Sequence, residues 1–183
     1  MTHSALILID IQNDYFPSFP AAKYPLPHME AAAENAALLL TKARKDGVKI
    51  IHIRHISPST NAPFFHPGTA GSEIHQSVSS QKGEIVVHKA RPNSFQGTEL
   101  GAILEQAGIK ELTICGAMSQ MCVDATARAA VDFGYKVTLV HDACAAANAT
   151  FGEVSVPAAQ VHAAIMAPLA ASYAQVIATR DYL

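Results

Sequence analysis

Residues 5–11 read Ala-Leu-Ile-Leu-Ile-Asp-Ile, an aliphatic run with a single acid set near its end. A strand that is apolar on both faces needs cover on both, which is the condition of a strand inside a parallel sheet wrapped by helices. The chain then supplies helices at the required intervals. Over 29–46 the apolar residues Met29, Ala33, Ala36, Leu40 and Ala43 recur at helical spacing. Glu30 and Glu34 lie near the start of that segment, and Lys42, Arg44 and Lys45 near its end, complementing the helix dipole, and Gly47 stops it. The alternation continues with strands over 48–53, 85–88, 112–115 and 137–140. Helices are predicted over 98–106, ended by Gly108, over 123–133, ended by Gly134, and from about 157 onward. Right-handed crossovers of this kind cover both faces of the sheet. The pattern predicts an α/β fold of three layers, α/β/α, doubly wound around a mostly parallel five- or six-stranded sheet, with residues 1–183 forming one domain.

Two segments depart from the pattern. Pro168 lies inside the last helical stretch and predicts a kink or break near Ala167. The stretch 57–82 has no sustained periodicity and contains Pro58, Pro63, Pro67, Gly68 and Gly71, which makes it a long ordered loop of the kind that lines a site.

Composition narrows the function. Thirteen Lys and Arg against fifteen Asp and Glu give a net charge of −2, without the basic stripe that nucleic-acid binding requires. The first residues carry no Lys or Arg ahead of an apolar run that meets Asp10, unlike an export signal, so a cytoplasmic protein is expected. Stretch 154–179 lacks charged residues and is long enough to span a bilayer, but Pro157, Gln160, His162, Pro168, Ser172 and Gln175 interrupt it. It reads as a buried segment rather than a membrane span. Its alanines predict helices buried against a neighbour, and hence a homo-oligomer, a dimer or a tetramer. Cys115, Cys122 and Cys144 are odd in number and lack metal-type spacing, which suits free thiols.

Three residues stand where chemistry is done in such folds. Asp10 ends a strand, and the carboxyl ends of strands in an open parallel sheet face ligands; the residue is either an acid or base there or the cap of a turn. Lys89 follows the strand 85–88 and reaches the same edge, or is simply solvated. Cys122 opens the helix after strand 112–115, where unpaired N–H groups and the dipole favour thiolate and can also hold an oxyanion. The alternative is a small buried side chain at a strand–helix junction. Nine histidines raise the question of a metal. His52 and His55, however, lie three apart on a strand and point to opposite faces, and no Asp lies between Asp46 and Asp124 to complete a cluster. No metal and no cofactor are expected.

Taken together, Leu8-Ile-Asp-Ile-Gln-Asn-Asp-Tyr15, Val87-His-Lys-Ala-Arg-Pro-Asn-Ser-Phe95 and Gly116-Ala-Met-Ser-Gln-Met-Cys-Val-Asp-Ala-Thr-Ala-Arg-Ala-Ala130 resemble the isochorismatase-like cysteine hydrolases. The stretch from Gly134-Tyr135 to Asp142-Ala-Cys144 continues the likeness. The resemblance implies that Asp10, Lys89 and Cys122 act as one catalytic set. It also implies a cis peptide at Ala117-Met118 and an oxyanion hole formed by the backbone N–H groups of Met118 and Cys122. Nicotinamidases of this family carry an Asp-x-His metal motif where this chain reads His52-Ile-Arg-His55. Isochorismatases that cleave a vinyl ether by acid catalysis commonly lack the cysteine, so Cys122 favours acyl transfer.

The expected activity is hydrolysis of a small-molecule amide, carbamoyl or lactam C–N bond through a Cys122 thioester. The alternatives are vinyl-ether hydrolysis with Asp10 as the acid, and a non-enzymatic binding protein on the same scaffold. Tyr15, Phe16, Phe19, Phe64, Phe65 and Phe95 are the aromatic candidates for clamping a substrate, and His55, Glu73, Arg91 and Asn93 the polar ones for orienting it.

Overall fold

The aliphatic run at the start of the chain is the centre of the computed structural model, which describes residues 3–59 and 61–183. The strands are β1 (Ser4–Ile9), β2 (Lys49–His55), β3 (Ile85–Lys89), β4 (Glu111–Ala117), β5 (Lys136–Ala145), β6 (Ala149–Phe151), β7 (Val154–Val156) and β8 (Gln175–Ile177). The helices are α1 (Met29–Asp46), α2 (Leu100–Gln106), α3 (Asp124–Asp132), α4 (Ala158–Ser172) and α5 (Thr179–Tyr182). Six strands form one parallel sheet in the order β3-β2-β1-β4-β5-β8, flanked by helices. Strand β1 lies at its middle, and Ala5, Leu6, Ile7, Leu8 and Ile9 are all buried. The chain builds outward from β1 through β2 and β3, then returns to the other side of β1 with β4. That reversal opens a crevice at the carboxyl ends of β1 and β4, the usual place for a ligand in such sheets.

The helices form for the reasons visible in their sequences. In α1 the buried face is Met29, Ala32, Ala33, Ala36, Leu39, Leu40 and Ala43, and Gly47 closes the helix in the left-handed region at φ 67°. Arg44 of this helix donates from Nε and Nη2 to Glu84 at 2.7 and 3.0 Å, and the same carboxylate lies 3.0 Å from Nε2 of buried His52 and accepts the Gln81 N–H at 2.8 Å. Burial alone would raise the Glu84 carboxyl. Arg44, the Gln81 N–H and His52 nevertheless bring it down to about 2. A depressed folded-state value means that the stabilisation is complete above the ordinary carboxyl value of 4.5 and is lost as pH falls toward about 2. In urea titrations the unfolding free energy of the wild type is therefore expected to drop across that interval. The curve for Glu84→Gln should start lower and be flatter. Parallel curves would show that the network does not couple to folding.

Several expectations need correction. Helix α4 runs unbroken through Pro168. The carbonyl left without a donor by the proline belongs to Ala164, and both residues are exposed, where solvation of that carbonyl makes the lost hydrogen bond cheap. The uncharged stretch 154–179 is not buried throughout the chain. Ala158, Val161, Met166 and Leu169 point inward, while Ala163, Ala164, Ala167, Ala170 and Ala171 are exposed, as is Val154. The antiparallel pair β6–β7, turning at Gly152, and the edge strand β8 have no counterpart in the sequence reading. No helix among the described residues is long and apolar enough to cross a membrane.

Candidate functional site

Asp10 follows β1 in the left-handed region at φ 50°, a conformation that Asp tolerates better than most residues. Its N–H bonds the Ile53 carbonyl at 3.0 Å, and its side chain is wholly buried. Lys89 is the last residue of β3, two strands away. Its side chain crosses the end of β2 to place Nζ 2.7 Å from Asp10 Oδ2, with both side chains out of contact with water. The other carboxylate oxygen, Oδ1, is buried and has no hydrogen-bond partner among the described residues. His55, the last residue of β2, has Nδ1 3.2 Å from Lys89 Nζ and 3.9 Å from Asp10 Oδ2. Single ligand-type atoms of Asp10, His55 and Cys122 all lie within 4.8 Å of one another. The cation set among them is the Lys89 ammonium.

Cys122 reaches this cluster from the far side of β1. Strand β4 approaches β1 so closely at Gly116, φ 125°, that a Cβ there would overlap the backbone of Ile9. Only glycine fits, and Gly116→Ala is expected to lower the melting temperature sharply in a thermal scan, because relieving the overlap means parting the two central strands. After the cis peptide between Ala117 and Met118, the chain enters a π-helical turn, Ser119–Val123, that leads into α3. The N–H groups of Met121 and Val123 close on Met118 O. Ser119 Oγ lies 3.2 Å from Ala145 O and 2.9 Å from His162 Nδ1, and the Gln120 amide exchanges two hydrogen bonds of 3.3 Å with the backbone of Ala147. Thus the turn is tied at two points to the end of β5 and to α4.

The thiol does not have the lowered pKa expected of a helix start. Burial, and then the charge of Asp10, push it up to about 12, with Lys89 opposing. The physical reason is the enclosure: Cys122 is 4% exposed, so removal from water outweighs the favourable end of the turn. The Lys89 ammonium would be lowered by burial but is held above its ordinary range by Asp10 and Cys122. At rest the site therefore contains a thiol beside an ion pair. Cys115 and Cys144 are buried free thiols.

The structure divides the remaining candidates. Tyr15 stands by the cluster, its phenol held protonated by burial and by the nearby Cys122 and Asp10. Phe65 and Phe64 pack on it at 4.6 and 5.5 Å between ring centroids, and Phe65 also faces His55 at 5.9 Å. Phe16 instead stacks on His75 at 3.6 Å, and Phe19 lines a separate cavity with Asn13, Ile74 and His75. Phe95 packs against Phe133 and Tyr135. Glu73 turns to Arg54 at 2.6 Å, on the opposite face of β2 from His55. Asn93 caps its own turn by accepting the Phe95 N–H at 2.9 Å, and Arg91 meets the site through its carbonyl, 3.1 Å from Lys89 Nζ.

Two residues that the sequence reading left without a role frame the site. Buried Gln12 donates to the carbonyls of His55 and Ser72, both at 2.8 Å, and accepts the His55 N–H at 2.8 Å. Asp14 accepts the N–H of Lys23 at 3.1 Å and of Phe65 at 2.8 Å. The available signal was two polar side chains two and four residues beyond the buried Asp10 that follows an aliphatic strand.

Residues 4–181 match the isochorismatase domain model. The chain is 47% identical over 180 residues to the uncharacterized isochorismatase family protein YddQ of Bacillus subtilis, covering 98% of each. It is 35% identical to a streptothricin hydrolase of Streptomyces noursei over 76% of this chain and 48% of that protein. A maleamate amidohydrolase of Pseudomonas putida is 28% identical over 75% of this chain and 70% of its own length. A solved protein of Oleispira antarctica superposes with a TM-score of 0.95 at 49% identity, over 98% of this chain and 95% of that one. The sheet order, the strand-end cluster and these likenesses agree, and the chain belongs to the isochorismatase family of hydrolases.

Proposed function

We propose that this protein hydrolyses the C–N bond of a small-molecule amide, carbamoyl or lactam group through a thioester on Cys122. The observation that carries the reading is the buried Asp10–Lys89 pair at 2.7 Å with the Cys122 thiol beside it. Relatives named for amide hydrolysis support it.

In the first half-reaction the Cys122 proton passes to Asp10, whose Oδ1 has no other partner, as sulfur bonds to the carbonyl carbon. Lys89 offsets the negative charge, which then moves from sulfur to the carbonyl oxygen. The backbone N–H groups of Met118, just before the turn, and of Cys122, within it, receive that oxygen. Collapse breaks the C–N bond, and Asp10 returns the proton to the departing nitrogen. Water, giving its proton to Asp10, then adds to the thioester; the acid leaves and sulfur regains the proton. One water is consumed and no net proton is taken up by the protein.

Because Asp10 helps to hold the thiol pKa up, Asp10→Asn is expected to have opposite effects on two readouts. Alkylation of Cys122 by iodoacetamide near pH 8 should become faster, since Lys89 then acts on the sulfur unopposed, while turnover is lost. Slower alkylation in Asp10→Asn would contradict the electrostatic assignment. The reading itself is tested by acid-quenching wild type and Cys122→Ala with pooled primary amides, carbamates and lactams and measuring intact and peptide masses. An acyl adduct on wild-type Cys122 alone is expected. Hydrolysis that survives in Cys122→Ala would overturn the thioester and leave acid chemistry at Asp10.

A further inference from the structure

An ammonium has three N–H bonds and no lone pair. Lys89 Nζ lies 2.7 Å from Asp10 Oδ2 as an ion pair, donates to the Arg91 carbonyl at 3.1 Å and lies at hydrogen-bond distance, 3.2 Å, from His55 Nδ1. At the last contact the imidazole can only accept. Nδ1 therefore carries no proton, and the neutral ring bears its proton on Nε2. The ring stands where the enclosed pair meets the outside: the His55 side chain is 18% exposed, and those of Asp10 and Lys89 are 0% exposed. Gln12 fixes its backbone from both sides, and Phe65 lies alongside the ring. No hydrogen bond within the described residues uses Nε2.

We propose that His55 is a positioning residue: its neutral ring holds Lys89 against Asp10 through Nδ1 and presents Nε2–H as a donor to a carboxylate or carbonyl oxygen of the bound molecule. The proposal rests on the amidohydrolase reading for its substrate and on distances for its bond to Lys89. The charged or titratable groups around the ring are Asp10 from β1, Lys89 from β3 and Cys122 from the π turn. Its neighbour Arg54 turns away to Ser72 and Glu73. Protonation of Nδ1 would remove the acceptor and set a second cation beside Nζ. Burial first, and then Lys89, keep the imidazole below its ordinary range, with Asp10 opposing, so the accepting form prevails at neutral pH.

Long-range 1H–15N correlations of the histidine rings in the full chain test this without turnover. The His55 signals are identified by their loss in His55→Asn. Near pH 7.5 the expected result is the Nε2–H tautomer in wild type and Cys122→Ala, with an upward shift of the His55 titration in Lys89→Met, where the neighbouring cation is gone. In Cys122→Ala, succinamate is expected to move the Nε2–H resonance, whereas butyramide, with a methyl group in place of the carboxylate, leaves it unmoved. An Nδ1–H tautomer, or a titration unaffected by Lys89→Met, overturns the positioning role. Should Lys89→Met not fold, the wild-type tautomer decides the same point. No movement with succinamate, or equal movement with both, overturns the donor role. Activity retained in Cys122→Ala would sink the thioester route and leave the tautomer result standing, so the two failures are separable.

Discussion

Cys122→Ala is expected to reduce turnover of any substrate amide by about 10⁴-fold or more, the scale of losing a nucleophile whose partners cannot act without it. The fold should survive. The change removes one sulfur atom from an enclosed site, a cost of about 1 kcal/mol or less, and it also removes the group that Asp10 would deprotonate. Circular dichroism and a melting curve close to wild type, together with absent ammonia release, would place the loss in chemistry rather than in folding. Cys122→Ser should be almost as inactive, because a buried hydroxyl is a far weaker acid than a thiol and a carboxylate such as Asp10 is too weak a base to deprotonate it. A serine variant that retained most activity would argue against a route through sulfur.

The second large effect is expected at Lys89 and falls on stability as well as activity. Lys89→Met leaves the Asp10 carboxylate enclosed without its counter-charge, and breaking a buried pair from one side costs about 3–5 kcal/mol. Chemical denaturation should show a loss of that size. Asp10→Asn on the Lys89→Met background should restore most of it, since no charge then remains to be desolvated, while activity stays absent. Stability that fails to recover in the double variant would mean that Lys89 supports the fold through packing of its methylene chain rather than through its charge. The comparison thus separates what the pair does for the fold from what it does for the reaction.

Periodicity was enough for the layers of this fold and for much less of its site. The aliphatic run before Asp10 could be satisfied only by two covered faces, and the Met29–Ala43 spacing only by one buried helix face; both are local properties of the chain. The meeting of Asp10, Lys89 and Cys122 is not local. It depends on β4 returning to the far side of β1, and it was the likeness of three motifs, not their spacing, that paired the residues. The ionisation of Cys122 came out with the opposite sign for the same reason: a helix start is visible in sequence, but the depth at which it is enclosed is not. The aromatic candidates divided along this line too. Phe65 sits on the loop strapped to Asp14, whereas Phe95 follows a turn that leads it to Phe133 and Tyr135, and nothing in their immediate neighbours distinguishes the two.

Gln12 and Asp14 hold the long loop in an unusual way, for the side-chain hydrogen bonds they make to it and to its flank end on main-chain atoms: the His55 N–H and carbonyl, the Ser72 carbonyl and the Phe65 N–H. Such straps are indifferent to which side chains the loop carries. Gly71 is the exception, because the Asp14 carboxylate occupies the space a Cβ would need. Phe65, Ser72 and Val78 are also held, by burial, but at the exposed described positions of 57–82 side chains can be exchanged while the path of the loop over the strand ends persists. This scaffold can therefore change what it admits to Cys122 without rebuilding what stands around it, a division of labour between inherited frame and replaceable wall.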